Sequence, residues 1–357
     1  MKGAGRVPLL AAALLGAVGP VRGGGRPVPP PDSPAGRFQD TVSSERIVVD
    51  VHVIDYSGNP IEGLSAADFG LKVDGRPVPI ESLEWVPGTP AAKDRTPAAE
   101  TAGEAGVPSL VTLPGRLIVL FFQTDYAESR ITGEMRMIRE AHTFLESCSA
   151  DDRIAVVSFD SHLKLRQDFT GDRDKIRHAI DRSLYFDRVD APPPGQFPSL
   201  AASFDFGAAR RATLPEHALG VVGRALEALP GSKSLLFFGW GIGNYDSKMG
   251  LILDHNYLPA RSALQRSHTS VFVLDITSAD IHAFGEGLKY LAEDTGGLYV
   301  KTHLLPKFAM SKVTRAMSGW YVLTFARPDL RRGVHEMSIK VERHGHPWVL
   351  ARPTYSD

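Results

Sequence analysis

Polarity changes abruptly at one place in the chain. Leu117–Ile118–Val119–Leu120–Phe121–Phe122 is a continuous apolar run, and a loop from Gln123 to Ser129 follows it directly. Such a run, rich in β-branched and aromatic residues, predicts a strand buried on both faces. Met137, Ile138, Ala141, Phe144, Leu145 and Cys148 then repeat at helical spacing. The same alternation continues: strand Ile154–Phe159, short strand Leu163–Gln167, and a helix with face Ile176, Ala179, Ile180 and Leu184 that Thr170 is placed to cap. Thr213–Leu214–Pro215–Glu216 has the spacing of a capping box and opens a helix over Ala218–Leu229. Strand Ser234–Trp240, helix Ala260–Arg266, strand Ser270–Ile276, helix Glu286–Asp294, strand Leu298–Lys301 and helix Leu305–Met317 complete the series, with Gly296–Gly297 suited to a left-handed C-cap. The order β-α-β-β-α-α-β-α-β-α-β-α predicts an α/β fold. Its sheet is doubly wound and mostly parallel, with one antiparallel edge and helices on both faces.

The rhythm differs on either side. Residues 46–86 and 319–357 read as short strands joined by turns such as Ser57–Pro60 and Asp74–Gly75, with no helical period. Neither segment is large enough to bury a core alone, so the two are expected to meet in one small β-sandwich, the α/β domain (114–318) being inserted between them. Residues 26–45 and 87–113 are rich in Gly, Pro, Ala, Ser and Thr and read as a disordered linker and a loose connector. Asp187–Phe206 is a long irregular loop with three consecutive prolines, of the kind that is functional or mobile.

Composition narrows the partners. With 43% apolar residues a sizeable core is expected, and a net charge of −1 over 357 residues argues against nucleic acid or an anionic membrane surface held by bulk electrostatics. Cys148 is the single cysteine, which rules out an intramolecular disulfide and a cysteine-built zinc site; it reads as a small apolar residue near a helix end. Lys2 and Arg6, the apolar run Val7–Val18 and the small residues Gly19–Gly25 have the three-part form of a signal peptide (1–25). The expectation is an exported, periplasmic or extracellular chain with no further membrane segment. A short uncleaved anchor is the alternative, since the cleavage region is Gly/Pro-rich.

Several phrases in order resemble a von Willebrand factor type A domain, and more narrowly the VWFA-related domain family of acidobacterial-type genomes. They are Gly63–Phe69 followed by Val73–Gly75, Arg153–Phe159, Leu229–Ser234, Leu291–Gly297 and Trp320–Phe325. The likeness covers roughly 46–357. It implies an exported protein that binds other proteins. In many type A domains it also implies a Mg²⁺ or Mn²⁺ adhesion site built from Asp-x-Ser-x-Ser after the first strand, a Thr from a middle loop and an Asp after the fourth strand.

Here that pattern is broken. Gln123 stands in the Asp slot if the slot directly follows Phe122. If the strand runs two residues further, Asp125 and Ser129 fit as Asp-x-Ala-x-Ser. Thr213 fits the Thr slot, though its capping role would account for it equally well. Phe238–Gly241 offers no carboxylate, and Asp246 reaches the site only if its loop folds back. The metal set is therefore Asp125, Ser129 and Thr213, or none; the plain alternative is that Asp125 and Ser129 cap the loop and the first helix. Trp240 reads either as a core aromatic or as an exposed anchor of a binding face. His344–Gly345–His346 is weighed as a metal pair against a solvated hairpin tip, with the tip favoured.

The leading expectation is a non-enzymatic protein-binding module with a degenerate adhesion site and no required cofactor. Its face would comprise Gln123, Glu128, Trp240 and Asp246, together with the 187–207 loop. The alternative is a Mg/Mn-dependent adhesion domain rearranged around Asp125 and Ser129. A hydrolase is third, since no nucleophile–base pairing is visible, no Gly-x-Ser-x-Gly elbow occurs, and Gly231–Ser234 lacks the spacing of a phosphate-binding loop.

Overall fold

The computed structural model describes residues 45–88, 115–125, 127–278, 282–342 and 346–357. The expected signal peptide (1–25), all but the last residue of the expected 26–45 linker, nearly all of the expected connector, Tyr126, and two of the three residues of His344–His346 lie outside them. Among the described residues no helix is long and apolar enough to cross a membrane.

The first segment supplies β1 (Arg46–Ile54), β2 (Phe69–Val73), β3 (Arg76–Pro77) and β4 (Ser82–Pro87). The central part supplies β5 (Leu117–Gln123), α1 (Glu128–Ser147), β6 (Arg153–Phe159), β7 (Leu163–Thr170), α2 (Arg173–Arg182), α3 (Phe206–Arg211), α4 (Pro215–Glu227) and β8 (Lys233–Gly239). It continues through β9 (Asn244–Asp246), β10 (Gly250–Ile252), α5 (Tyr257–Arg266), β11 (Thr269–Asp275), α6 (Gly285–Asp294), β12 (Tyr299–Lys301) and α7 (Pro306–Ala316). The last segment gives β13 (Gly319–Ala326), β14 (Val334–Val341), β15 (Trp348–Leu350) and β16 (Thr354–Ser356).

The large sheet has the order β12-β11-β8-β5-β6-β7, parallel throughout except for β7 at one edge. All seven residues of β5, β8 and β11 are buried. Alternate residues of β5 enter two different cores: Leu117, Val119 and Phe121 face α4, α5 and α6, while Ile118, Leu120 and Phe122 face α1, α2 and α7. A strand covered on both faces cannot alternate apolar with polar residues, which is why the sequence shows an unbroken run there.

The two outer segments pair with each other. β1 lies antiparallel between β13 and β15, with Arg46 opposite Ala326 and His52 opposite Leu350. β2 pairs with β14, Val73 opposite Met337. The result is two four-stranded antiparallel sheets, β15-β1-β13-β4 and β16-β14-β2-β3, around a shared core that includes Val51, Leu71, Tyr321 and Phe325.

This sandwich sits against the amino-terminal end of the parallel sheet. The Ser232 hydroxyl, just before β8, donates to Asp50 (2.6 Å), and Arg352 donates to the carbonyls of Val48 and Gln265 (both 2.8 Å). The opposite end of the sheet is left uncovered by it.

Two expected caps are corrected. Thr213 does not start α4: Leu214 is the N-cap, in extended conformation, and Pro215 is the first helical residue. The residue before a proline is held out of the α region, so the helix starts one position later than the Thr-x-x-Glu spacing suggests. Asp172, not Thr170, caps α2, accepting the N–H groups of Asp174 and Lys175; the Thr170 hydroxyl accepts the N–H of Asp172 instead. Gly296 does adopt the left-handed conformation after α6 (φ 73°). Cys148 caps the carboxyl end of α1 among apolar neighbours, and burial pushes its thiol up to about 11, far from the range of a reactive thiolate.

Candidate functional site

In an open α/β sheet the ligand crevice opens where the strand order reverses, at the carboxyl ends of the strands. Here that point lies between β5 and β8. It is filled by the protein's own side chain. Gln123, the last residue of β5, accepts the N–H groups of Trp240 (3.0 Å) and Gly241 (3.2 Å) on its Oε1 and donates Nε2–H to the Gly241 carbonyl (2.8 Å). A neutral amide matches this mixed donor and acceptor set where a carboxylate has no proton to give.

Above Gln123 lies a compact charged cluster. Asp125 accepts the Ala127 N–H on Oδ1 (2.9 Å) and pairs through Oδ2 with Arg130, in the first turn of α1. The Arg130 guanidinium lies over the Trp240 ring, its Cζ 3.5 Å from the centroid. Trp240 meets Phe284 edge-on, with ring centroids 6.1 Å apart. Glu134, four residues beyond Arg130 on α1, accepts the Asp125 N–H (3.0 Å). Only 7% of Glu134 is exposed, and burial pushes its carboxyl up to about 7, partly offset by Arg130. α1 comes this close to the sheet because residue 133 is glycine: a Cβ there would stand 2.0 Å from the Ile276 carbonyl oxygen.

The elevated Glu134 sets a pH dependence. The folded-state value lies above the ordinary carboxyl value, so folding takes up a proton between the two. The contribution is fully present below about 4.5, the unfolded value, and is lost as pH rises through about 7. Wild-type protein is expected to lose stability from pH 5 to pH 8 relative to Glu134→Gln, which keeps the acceptor for Asp125 but does not titrate. Urea midpoints of both proteins at the two pH values measure this, and parallel midpoints would contradict it.

The remaining sequence candidates lie as follows. Glu128 and Ser129 are exposed on the first turn of α1, whose N-cap, Ala127, receives no side-chain cap, so Ser129 is not a helix cap. Thr213 is exposed ahead of α4. Asp246 Oδ1 accepts the N–H groups of Lys248 (2.8 Å) and Met249 (2.9 Å), which ties it into the β9–β10 hairpin. Trp240 is half-buried beneath Arg130, an aromatic shared between core and surface and not a free anchor. Among the described residues no three His, Cys, Asp or Glu side chains are grouped to hold a metal ion.

The long loop is only partly at this end. Asp168 accepts the N–H groups of Gly195, Leu200 and Ala201 and the Ser199 hydroxyl. Because β7 runs antiparallel, Asp168 stands beside the amino-terminal half of β6, and the Gly195–Ala201 stretch is tied there, away from the crevice.

Three groups had no place in the sequence reading. Arg130 and Glu134 carry the signal of an i,i+4 pair five residues past Asp125. Asp275, at the carboxyl end of β11, is buried and bonded by Tyr299 Oη (2.6 Å), His282 Nε2 (2.7 Å) and Thr277 Oγ1 (2.8 Å); these partners outweigh its burial and hold its carboxyl below the usual range. The Ser161 hydroxyl does lie 3.1 Å from His162 Nδ1, but Asp160 approaches the same ring nitrogen (3.6 Å). A catalytic relay needs the acid on the other nitrogen.

No protein-family model matches the chain, and no curated protein matches it. Solved structures with a similar course include BatB from Bacteroides thetaiotaomicron (11% identity, TM-score 0.39, covering 57% of this chain and 98% of that one). A von Willebrand factor type A protein from Catenulispora acidiphila matches at 8% identity and TM-score 0.41, over 88% of this chain and 74% of that one. The vWF domain of the type V pili tip protein Mfa5 from Porphyromonas gingivalis matches at 12% identity and TM-score 0.39, over 62% and 99%. The strand order, the single antiparallel edge and the helices on both faces show the architecture: the central unit is a doubly wound, mostly parallel α/β sheet.

Proposed function

We propose that this protein is a non-enzymatic protein-binding module acting outside the cytoplasm, and that its carboxyl-terminal sheet end binds a protein partner without a metal ion. The observation that carries the reading is Arg130. Its guanidinium pairs with Asp125 and stacks on Trp240, so the one acidic group retained from the adhesion pattern already has an internal cation. Gln123 brings no charge, and its Oε1 is taken by the Trp240 and Gly241 N–H groups while its Nε2 donates to the Gly241 carbonyl. A hard divalent cation that dehydrates reluctantly needs several free oxygen ligands, and Asp125 with Ser129 and Thr213 offers too few. The surface around this plugged crevice includes the exposed Glu128 and Ser129 on α1 and the β9–β10 hairpin, which presents Tyr245 and Met249 exposed and Asp246 half-buried. Aromatic and Met side chains are enriched in such faces.

The test is affinity capture from an extracytoplasmic extract, with the wild-type chain and a Glu128→Arg/Asp246→Arg variant as bait, each in EDTA and in Mg²⁺. Capture that persists in EDTA and is lost in the variant is the expected result. Capture abolished by EDTA, or undiminished in the variant, overturns the reading. Calorimetric titration with Mg²⁺ and Mn²⁺ accompanies it, with no saturable heat expected at millimolar metal.

A further inference from the structure

A cleft of about 410 Å³ opens between β7, α3 and the segment Phe186–Ala191. Its floor is apolar: Leu165 is buried, and the rings of Phe186 and Phe206 line it half-buried. The segment that forms one wall is fixed in place. Arg166 and Arg182 both pair with Asp187, and Arg166 also donates to the Tyr185 carbonyl (2.5 Å). The cleft is therefore a preformed feature of the fold, within the size range of small-ligand sites.

The charges at its edge are unevenly matched. Lys164 is paired with Asp160, and Asp187 is neutralised by its two arginines. Burial and the nearby Lys164 lower the pKa of His162. That leaves Arg188, on the wall segment, and Arg210, on α3, exposed and without an ion pair among the described residues, against the single acid Asp190. Two exposed guanidinium groups from separate elements border a floor carrying two phenyl rings. A guanidinium fork matches a planar carboxylate, and the rings match an apolar body.

We infer that this cleft is a binding site for a small organic carboxylate with an aromatic or branched apolar body, the carboxylate held by Arg188 and Arg210 and the body against Phe186 and Phe206. It is separate from the crevice of Gln123 and Trp240 and stands or falls independently of the protein-binding reading.

The experiment uses the whole chain and ligand-observed NMR with 3-phenylpropionate as probe, beside 3-phenylpropanamide and acetate. The acid is expected to bind saturably in the millimolar range. The amide and acetate are expected to bind at least about ten-fold more weakly, each lacking one half of the recognition. Arg188→Ala/Arg210→Ala is expected to reduce binding of the acid by about ten-fold or more, with an unchanged thermal melting point because both side chains are exposed. Equal binding of acid and amide, no binding of the acid at 20 mM (roughly 20 times a millimolar Kd), or undiminished binding by the double variant overturns the assignment. Tighter binding of an acetylated Asp-Phe amide than of the free acid also overturns it, in favour of a peptide.

Discussion

Asp152→Ala is expected to remove about 3–5 kcal/mol of stability, the largest effect of any single polar substitution here, because it strands a buried arginine. Arg116 sits at the foot of β5 with 7% of its side chain exposed, and the Asp152 side chain is fully enclosed. Asp152 accepts from Arg116 Nη2 (2.6 Å), Nε (3.1 Å) and the backbone N–H (3.0 Å), and from the Ser149 N–H (2.8 Å). Beyond Asp152, that guanidinium donates among the described residues to the Met317 carbonyl at 3.3 Å. The pair as a whole contributes far less than its rupture costs, since both charges were desolvated to form it. The double substitution Arg116→Met/Asp152→Leu is therefore expected to lose less than Asp152→Ala alone. Urea denaturation of the three proteins decides the matter; a loss under about 1 kcal/mol for Asp152→Ala would mean water reaches the pair.

Phe238→Ala is expected to cost a similar amount, about 3–5 kcal/mol, through a different mechanism. Phe238 is 1% exposed and lies nearly parallel to Phe122 on the neighbouring strand, with centroids 4.6 Å apart and planes 6° apart. Removing the ring leaves a cavity between the sheet and α1, with Trp240 packed on the same cluster. Phe238→Leu keeps most of the volume and should lose less than half as much, whereas Val334→Ala, at an exposed sandwich position, should stay within about 0.5 kcal/mol of wild type. Urea midpoints order the three. If Phe238→Ala and Phe238→Leu proved equally mild, the two rings would not be packed as described.

The sequence made the scaffold legible for a physical reason. Strands covered on both faces must be apolar throughout, and each of the helices packed on them buries one stripe, so Leu117–Phe122 and Ser270–Ile276 announce themselves. The meeting of the two outer segments followed from size: neither could bury Val51 or Phe325 without the other. What the sequence concealed is the content of the crevice. Gln123 looked like a lost ligand, and its role depends on the backbone of Trp240 and Gly241, more than a hundred residues away along the chain. Arg130 and Glu134 lie off the apolar stripe by which α1 is read in the sequence, yet both turn toward Asp125. The β9–β10 hairpin escaped notice because three residues per strand are too few to show a period. Thr213 misled because local spacing was read without the constraint that Pro215 places on Leu214.

The pairing of β1 with β13 and of β2 with β14 also bears on biosynthesis. During translation β1 to β4 leave the ribosome first, and neither of their sheets can be completed until β13 and β14 appear. At ordinary elongation rates that interval is on the order of tens of seconds, long compared with the folding of most α/β units. Through that time Val49, Val51, Val53, Leu71 and Val73 have no core to enter. The amino-terminal strands thus begin life as an unshielded, aggregation-prone edge, and the finished inserted domain is what finally brings their partners within reach.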